Sequence, residues 1–336
     1  LFILNLLICL YSFAQSNFDA VDQLFKQNQK AMGNFVALAV KDGKPIYTKV
    51  GGQDFTAKSP APIGNIGNWM TAALVMTFVD EGKLSLDDKV TQFLPMFGKY
   101  SKGYITIRNC LTNTTGIRTD EGIKIQQKNK FETLEDEVNS IASKHPIATN
   151  PGTEFFYSSL GPEIAARVLE VVGKKPFDRL MAERIIRPCK MKGTSFSSET
   201  GGAIDASGGA RSTANDYVNF LTMLLNKGVF EGKQVLSEKA VAEMETPQFA
   251  DLPVKYMPKE YPGAKYGLGA FITEMGGPGG TPSVLVAPDF LGAAAYIDKC
   301  RNYGAILIEE KPEEEKKAIF KSFMNLLGQT AGGGCQ

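Results

Sequence analysis

Apolar residues recur at helical spacing in several stretches of the chain and fall into short β-like runs near both ends. From Asn17 to Met32, Val21, Leu24, Phe25 and Met32 share one side of an amphipathic helix that Gly33 stops. Phe35-Val-Ala-Leu-Ala-Val40 and Pro45-Ile-Tyr-Thr-Lys-Val50 then flank Lys41-Asp42-Gly43, which predicts a β-hairpin turning at Asp-Gly. The far end mirrors this pattern. Tyr266 to Thr273, Gly292 to Asp298 and Tyr303 to Glu309 are β-rich, and a helix is predicted from Pro312, with proline at its start, to about Leu327.

Between the two ends the period becomes helical. Met70, Ala73, Leu74, Thr77 and Phe78 follow i, i+3, i+4, i+7, i+8 spacing up to Gly82. Pro162 to Val172 predicts a second helix, ending at Gly173, and Thr213-Ala-Asn-Asp216 opens a third like a capping box. The expected fold is therefore α/β (α+β), with one antiparallel sheet from both termini, flanked by terminal helices, and a large inserted helical lobe. The expected division is a sheet lobe of residues 15–51 and 263–330, a helical lobe of 52–262 and a tail of 331–336, with a cleft between the lobes.

Leu1 to Leu10 is apolar but too short to span a bilayer, and it leads into Ser12-Phe13-Ala14, which has small residues at the −3 and −1 positions of a signal-peptidase site. Residues 1–14 are thus expected to be a signal peptide and the mature protein periplasmic or secreted, with no membrane span. A buried N-terminal helix is the competing reading. Thirty-seven Lys and Arg against 36 Asp and Glu leave a charge of +1, which argues against nucleic acid as a partner. The single histidine, His145, excludes zinc sites built on several histidines; it precedes Pro146 and reads as a surface loop residue. No cofactor or metal is expected. Outside the leader, which holds Cys9, the widely spaced Cys110, Cys189, Cys300 and Cys335 form no Cys-x-x-Cys pair and are expected to be buried free thiols.

Several segments, in order, are similar to one superfamily. Ile63-Gly-Asn-Ile-Gly-Asn-Trp-Met-Thr-Ala-Ala73 runs into Phe78-Val-Asp-Glu-Gly-Lys-Leu-Ser-Leu-Asp-Asp-Lys-Val90. Ile105 to Ile117, Pro151-Gly-Thr-Glu-Phe-Phe-Tyr-Ser-Ser159, Arg184 to Phe196, Gly208 to Tyr217 and Tyr266-Gly-Leu-Gly269 follow. Together they resemble the serine β-lactamase and penicillin-binding protein superfamily, in its branch of class C β-lactamases, DD-peptidases and esterases. The resemblance spans nearly the whole chain after the leader and implies a β-lactamase/transpeptidase-like fold.

In that superfamily a Ser nucleophile is followed one helical turn later by a Lys, so that both share the helix face that meets the cleft. The match places Asn65 at the Ser position and Asn68 at the Lys position. An amide supplies neither an alkoxide nor a base near neutral pH. No Lys in the chain has Ser or Thr three residues before it. The second motif, Tyr-x-Asn, reads Tyr157-Ser158-Ser159, so Ser159 replaces the Asn. The third motif, which normally carries a Lys or His for the substrate carboxylate, aligns best on Ala287-Pro-Asp289, with Gly276 to Thr281 as the alternative; neither holds a cation. Asn109 and Asn113 stand where the branch often has His, at positions more structural than catalytic. Plainer roles exist for these residues: Asn65 or Asn68 as a helix N-cap, Tyr157 as a half-buried strand aromatic, Ser158 and Ser159 as turn residues before a helix.

The leader pattern and the resemblance together imply an exported, degenerate member without the Ser-x-x-Lys pair. It would be retained to bind a small acyl compound or a peptide derived from peptidoglycan. The competing reading is an active serine hydrolase of β-lactamase, DD-peptidase or esterase type with a rebuilt site, for which Tyr157, Ser158 and Ser159 supply hydroxyls.

Overall fold

The two ends of the chain build one sheet. The computed structural model describes residues 18–119, 131–197, 201–249, 251–276, 280–288, 293–311 and 316–331. Strands β1 (Phe35–Lys41) and β2 (Lys44–Gly51) form the predicted hairpin. Asp42 (φ 52°) and Gly43 (φ 70°) both take left-handed φ, as a two-residue turn matched to strand twist requires. From the far end come β3 (Lys265–Tyr266), β4 (Phe271–Met275), β5 (Pro282–Pro288), β6 (Ala294–Asp298) and β7 (Tyr303–Glu309). The order across the sheet is β3-β4-β5-β6-β7-β1-β2, antiparallel throughout. The termini meet at β1 and β7, with Phe35 opposite Glu309 and Lys41 opposite Tyr303.

Both faces of this sheet are covered, which is why β1 and β7 read as continuous apolar runs rather than alternating ones. Phe35, Ala37, Ala39, Tyr303, Ala305 and Leu307 face the terminal helices α1 (Asp19–Met32) and α7 (Lys317–Thr330), against Val21, Phe25, Phe320 and Phe323. Val36, Leu38, Val40, Ile306 and Ile308 face the helical lobe. The sequence pattern missed β5, a short apolar run between prolines. It also joined β3 to β4, which the Gly267–Ala270 link separates, with Gly269 at φ 85°. Pro312, the predicted helix start, lies outside the described residues, as do the leader, Cys9 and Cys335.

The inserted lobe is organised around α2 (Gly67–Asp80). Its sequence period predicts one apolar face, yet every residue from Gly67 to Phe78 is buried, so the helix runs through the lobe rather than along its surface. Around it lie α3 (Ile107–Leu111), α4 (Leu134–Lys144), α5 (Leu160–Gly173) and α6 (Ala214–Leu225). Thr213 caps α6 by accepting from the Asp216 amide, and the Asp216 carboxylate reaches outward to accept from Gly193 N (2.7 Å) and Thr194 Oγ1 (2.9 Å). Helix α5 starts so close to α3 that a Cβ on Gly161 would lie 2.0 Å from the Cys110 carbonyl oxygen. Gly161→Ala is expected to cost about 2 kcal/mol, read as a lowered thermal midpoint; an unchanged midpoint would mean that the two helices can separate freely.

The cysteines divide. Cys110 and Cys189 are free and buried, and burial raises both thiols, that of Cys189 to about 12. Cys300 departs from the expectation of a free thiol: it is disulfide-bonded, in the half-buried turn between β6 and β7 rather than in the core.

Candidate active site

The first motif is shaped by what lies on either side of it. Ala61–Pro62 pairs with Ala210–Ser212, and the chain then makes a single 3-10 turn, Gly64–Ile66, before entering α2. Asn65 is in the middle of that turn and Asn68 is the second residue of the helix. Neither acts as an N-cap, for the turn and the helix both start without a side-chain capping bond, at Ile63 and Ile66. The capping role considered for these two residues is therefore set aside.

The 205–210 loop lies against this corner. Thr71 Oγ1 donates to Ala206 O (2.7 Å), Tyr217 OH donates to Ile66 O (3.0 Å), and a Cβ on Gly67 would meet the Ala210 Cβ at 3.2 Å. Asn65 Oδ1 is 3.3 Å from where a Gly208 Cβ would sit, so glycine there lets the amide approach the loop backbone. Two carboxylates hold the loop in shape. Asp205 Oδ1 accepts from Ser207 N (3.0 Å), Ser207 Oγ (2.7 Å) and Gly208 N (2.7 Å). Glu163, on α5 and 1% exposed, accepts from Ala206 N (3.0 Å) and Ser207 N (3.1 Å). Sequence reasoning missed both. The available signal was an acid at position 163 in the otherwise apolar start of a helix.

The second motif forms another wall. Tyr157, 4% exposed, follows the short strand Phe155–Phe156 and packs its ring 5.2 Å from Phe271 on β4 and 6.0 Å from Tyr266. Burial pushes the Tyr266 hydroxyl well above its ordinary pKa, nearby Tyr157 adds to this, and a hydrogen bond with the Asn113 side chain opposes it. Asn113, at φ 57°, also accepts from Ser158 N (3.0 Å), so this residue fixes the turn that carries both serines. Ser159 occupies the position before α5, as a turn residue would, without a capping bond from its side chain. Asn109 completes a capping box with Thr106 and donates to Thr114 Oγ1 (3.1 Å). His145 follows α4, with Nδ1 3.3 Å from Arg118 O.

The third candidate strand is β5. Val284 and Val286 point to the terminal helices, whereas Leu285 and Ala287 point to the helical lobe, and β5 packs on the 3-10 turn that holds Asn65. Ala287 thus lies on the side of the sheet that faces the first motif, paired with Ala295 on β6. Asp289 lies outside the described residues, as do residues 277–279 of the Gly276 to Thr281 alternative. The 3-10 turn packs on β5, Val286 of β5 pairs with Phe271 on β4, and the Phe271 ring packs on Tyr157. Beneath them, a Cβ on Gly269 would come within 2.8 Å of Asn68 O, so the Tyr-Gly-Leu-Gly link crosses the start of α2 at close range.

The chemistry of this corner is amide and hydroxyl chemistry. From Ile63 to Val79 the turn and helix carry no ionisable side chain. Asn68 is 3% exposed and its Oδ1 is buried without a hydrogen-bond partner among the described residues. Among the described residues no three His, Cys, Asp or Glu side chains group to hold a metal.

The sequence pattern of the beta-lactamase family matches residues 21–319. The chain belongs to that family. Its fold is similar to that of a candidate beta-lactamase from Bacteroides dorei DSM 17855, at 25% identity and a TM-score of 0.82, over 94% of this chain and 99% of that one. It is also similar to EstCE1, described as a hydrolase with promiscuous acyltransferase activity (17% identity, TM-score 0.77, 93% and 98% of the two chains). An octameric penicillin-binding protein homologue from Pyrococcus abyssi shares the fold at 20% identity and a TM-score of 0.73, over 93% of this chain and 77% of that one. Protein flp of Staphylococcus aureus (strain MW2) is 28% identical over 169 residues, 47% of this chain; the match spans only 34% of flp. The expected superfamily and the antiparallel sheet built from both termini are thus confirmed.

Proposed function

We propose that this family member binds a small acyl or peptide ligand, such as a fragment of peptidoglycan, without forming a covalent bond to it. The observation that carries this reading is the pair Asn65 and Asn68 at the turn and helix start where the superfamily resemblance expects Ser and Lys. Nucleophile and base work as a unit, and loss of the nucleophile alone removes about 10⁶ in rate in a well-studied serine hydrolase. Ser158 and Ser159, the hydroxyls available to a rebuilt hydrolase, sit in a turn fixed by Asn113. The apolar Leu1 to Leu10 and the Ser12-Phe13-Ala14 that follows support export, and no described helix is long and apolar enough to cross a membrane.

Incubation with an acylating β-lactam or a short-chain p-nitrophenyl ester, followed by intact-mass measurement, is expected to leave the mass unchanged and to show no turnover. A stoichiometric adduct, or hydrolysis abolished by Ser158→Ala or Ser159→Ala, would replace this reading with that of an active hydrolase.

A further inference from the structure

Resting on the binding reading, we infer that the ligand of this site is an uncharged compound that presents amide N–H groups, and that it carries no carboxylate. Two independent features point there. The first is charge. The described segments that meet at the site, residues 63–79, 155–162, 203–210, 266–276, 280–288 and 293–298, contain no Lys, Arg or His, while they do contain Asp205, Glu274 and Asp298. Of the cations just beyond them, Arg118 pairs with Glu154, Arg301 with Asp298 (2.7 Å) and Lys299 with Glu245, while Lys265 lines the groove against α7. Arg211 donates to Pro60 O (3.2 Å), on the approach to the 3-10 turn. A ligand carboxylate entering here would lose its hydration without gaining a counter-charge.

The second feature is the Asn68 Oδ1 acceptor, buried and without a partner among the described residues. Buried acceptors in folded proteins are almost always paired, and an orphan at a candidate site is a position where a ligand donor fits. Asn68 lies three residues after Asn65, one helical turn on, where side chains share a face. The Asn68 carboxamide presents an unmatched acceptor, the complement of an amide N–H rather than of an anion. An ammonium at position 68 would favour a carboxylate; the carboxamide that stands there does not.

N-acetyl-D-alanyl-D-alanine and its C-terminal amide differ at pH 7 essentially in one charge. Titration of the protein with each, followed by calorimetry or by ligand NMR, is expected to show the amide bound at least tenfold more tightly than the acid. Asn68→Leu should weaken amide binding about tenfold and leave the acid unchanged. Asn68→Lys should bring the acid up to or past the amide, with circular dichroism confirming that each variant is folded. If the parent protein binds the acid as tightly as the amide, the inference falls while the binding reading stands. If it binds neither, both fall.

Discussion

Glu163→Ala is expected to lower stability by about 3 kcal/mol and to loosen the loop against which Asn65 rests. The carboxylate is 1% exposed and accepts the backbone N–H groups of Ala206 and Ser207, which have left water together with it. Truncation leaves buried donors without an acceptor, and each such orphan costs about 1–3 kcal/mol. Ser207 N retains Asp205 Oδ1, whereas Ala206 N has Glu163 as its acceptor, so the loss should be nearer one full orphan and one charge-assisted bond than two orphans. Glu163→Gln should recover part of it, since the carboxamide oxygen still accepts one N–H while its NH₂ group faces the other. Urea unfolding of the two variants beside the parent reads both losses. A loss below about 1 kcal/mol for the Ala variant would show that Asp205 and the Thr71–Ala206 bond hold the loop unaided.

Asn68→Leu should act in the opposite direction on stability. It removes an acceptor that is buried without a partner among the described residues, replaces it with an apolar group of similar size, and is expected to raise the thermal midpoint. A site kept at some cost to stability is common where function depends on it. If the variant melts lower than the parent, the Asn68 amide contributes to the resting fold rather than being held for a ligand.

Local rules made much of this fold legible. Asp42-Gly43 predicted a turn in which both residues take left-handed φ, and they do. Thr213 predicted a helix start and caps one. Gly82, which closes the periodic run, has φ 66° just beyond the end of α2. What stayed hidden depends on tertiary burial. Pro282 to Pro288 is too short and too proline-bounded to declare itself a strand, and becomes one because β4 and β6 pair with it on either side. The period of α2 suggested one buried face because periodicity cannot see that the lobe closes around the other. At the site, motif order alone singled out Asn65, Asn68, Tyr157 and Ala287 as candidates. The parts that hold the site together, Glu163, Asp205 and the two-way role of Asn113, make contacts across 43 or more residues or bind backbone groups, and neither leaves a pattern in sequence. Asn65 and Asn68 show the limit of local rules from the other side: both are good capping residues at a helix start, and neither caps.

If positions 65 and 68 are those of the superfamily's Ser and Lys, installing that pair should give a trace of chemistry. Asn65→Ser with Asn68→Lys returns a hydroxyl to the 3-10 turn and an amine one helical turn later, on the face of α2 that meets the 205–210 loop. Position 68 is 3% exposed, and until a ligand carboxylate supplies a counter-charge, burial lowers the pKa of an amine, so that with an uncharged activated ester the neutral fraction can take a proton from serine. The rest of the machinery would remain incomplete: Ser159 stands where the second motif has Asn, and residues 266–298 supply no cation to orient a substrate carboxylate. Orientation can contribute several powers of ten to rate, so acylation should be slow, detectable by intact mass over hours with an activated ester or a β-lactam and short of efficient turnover. Neither single variant should be labelled, because hydroxyl and base act as a unit. Labelling of Asn65→Ser alone would show that another base lies within reach, with the Tyr157 hydroxyl the first to test. A folded double variant that takes no label would show that Asn65 is not the lost nucleophile position, or that the corner has closed for another use, and the ligand would then have to be sought elsewhere on the sheet.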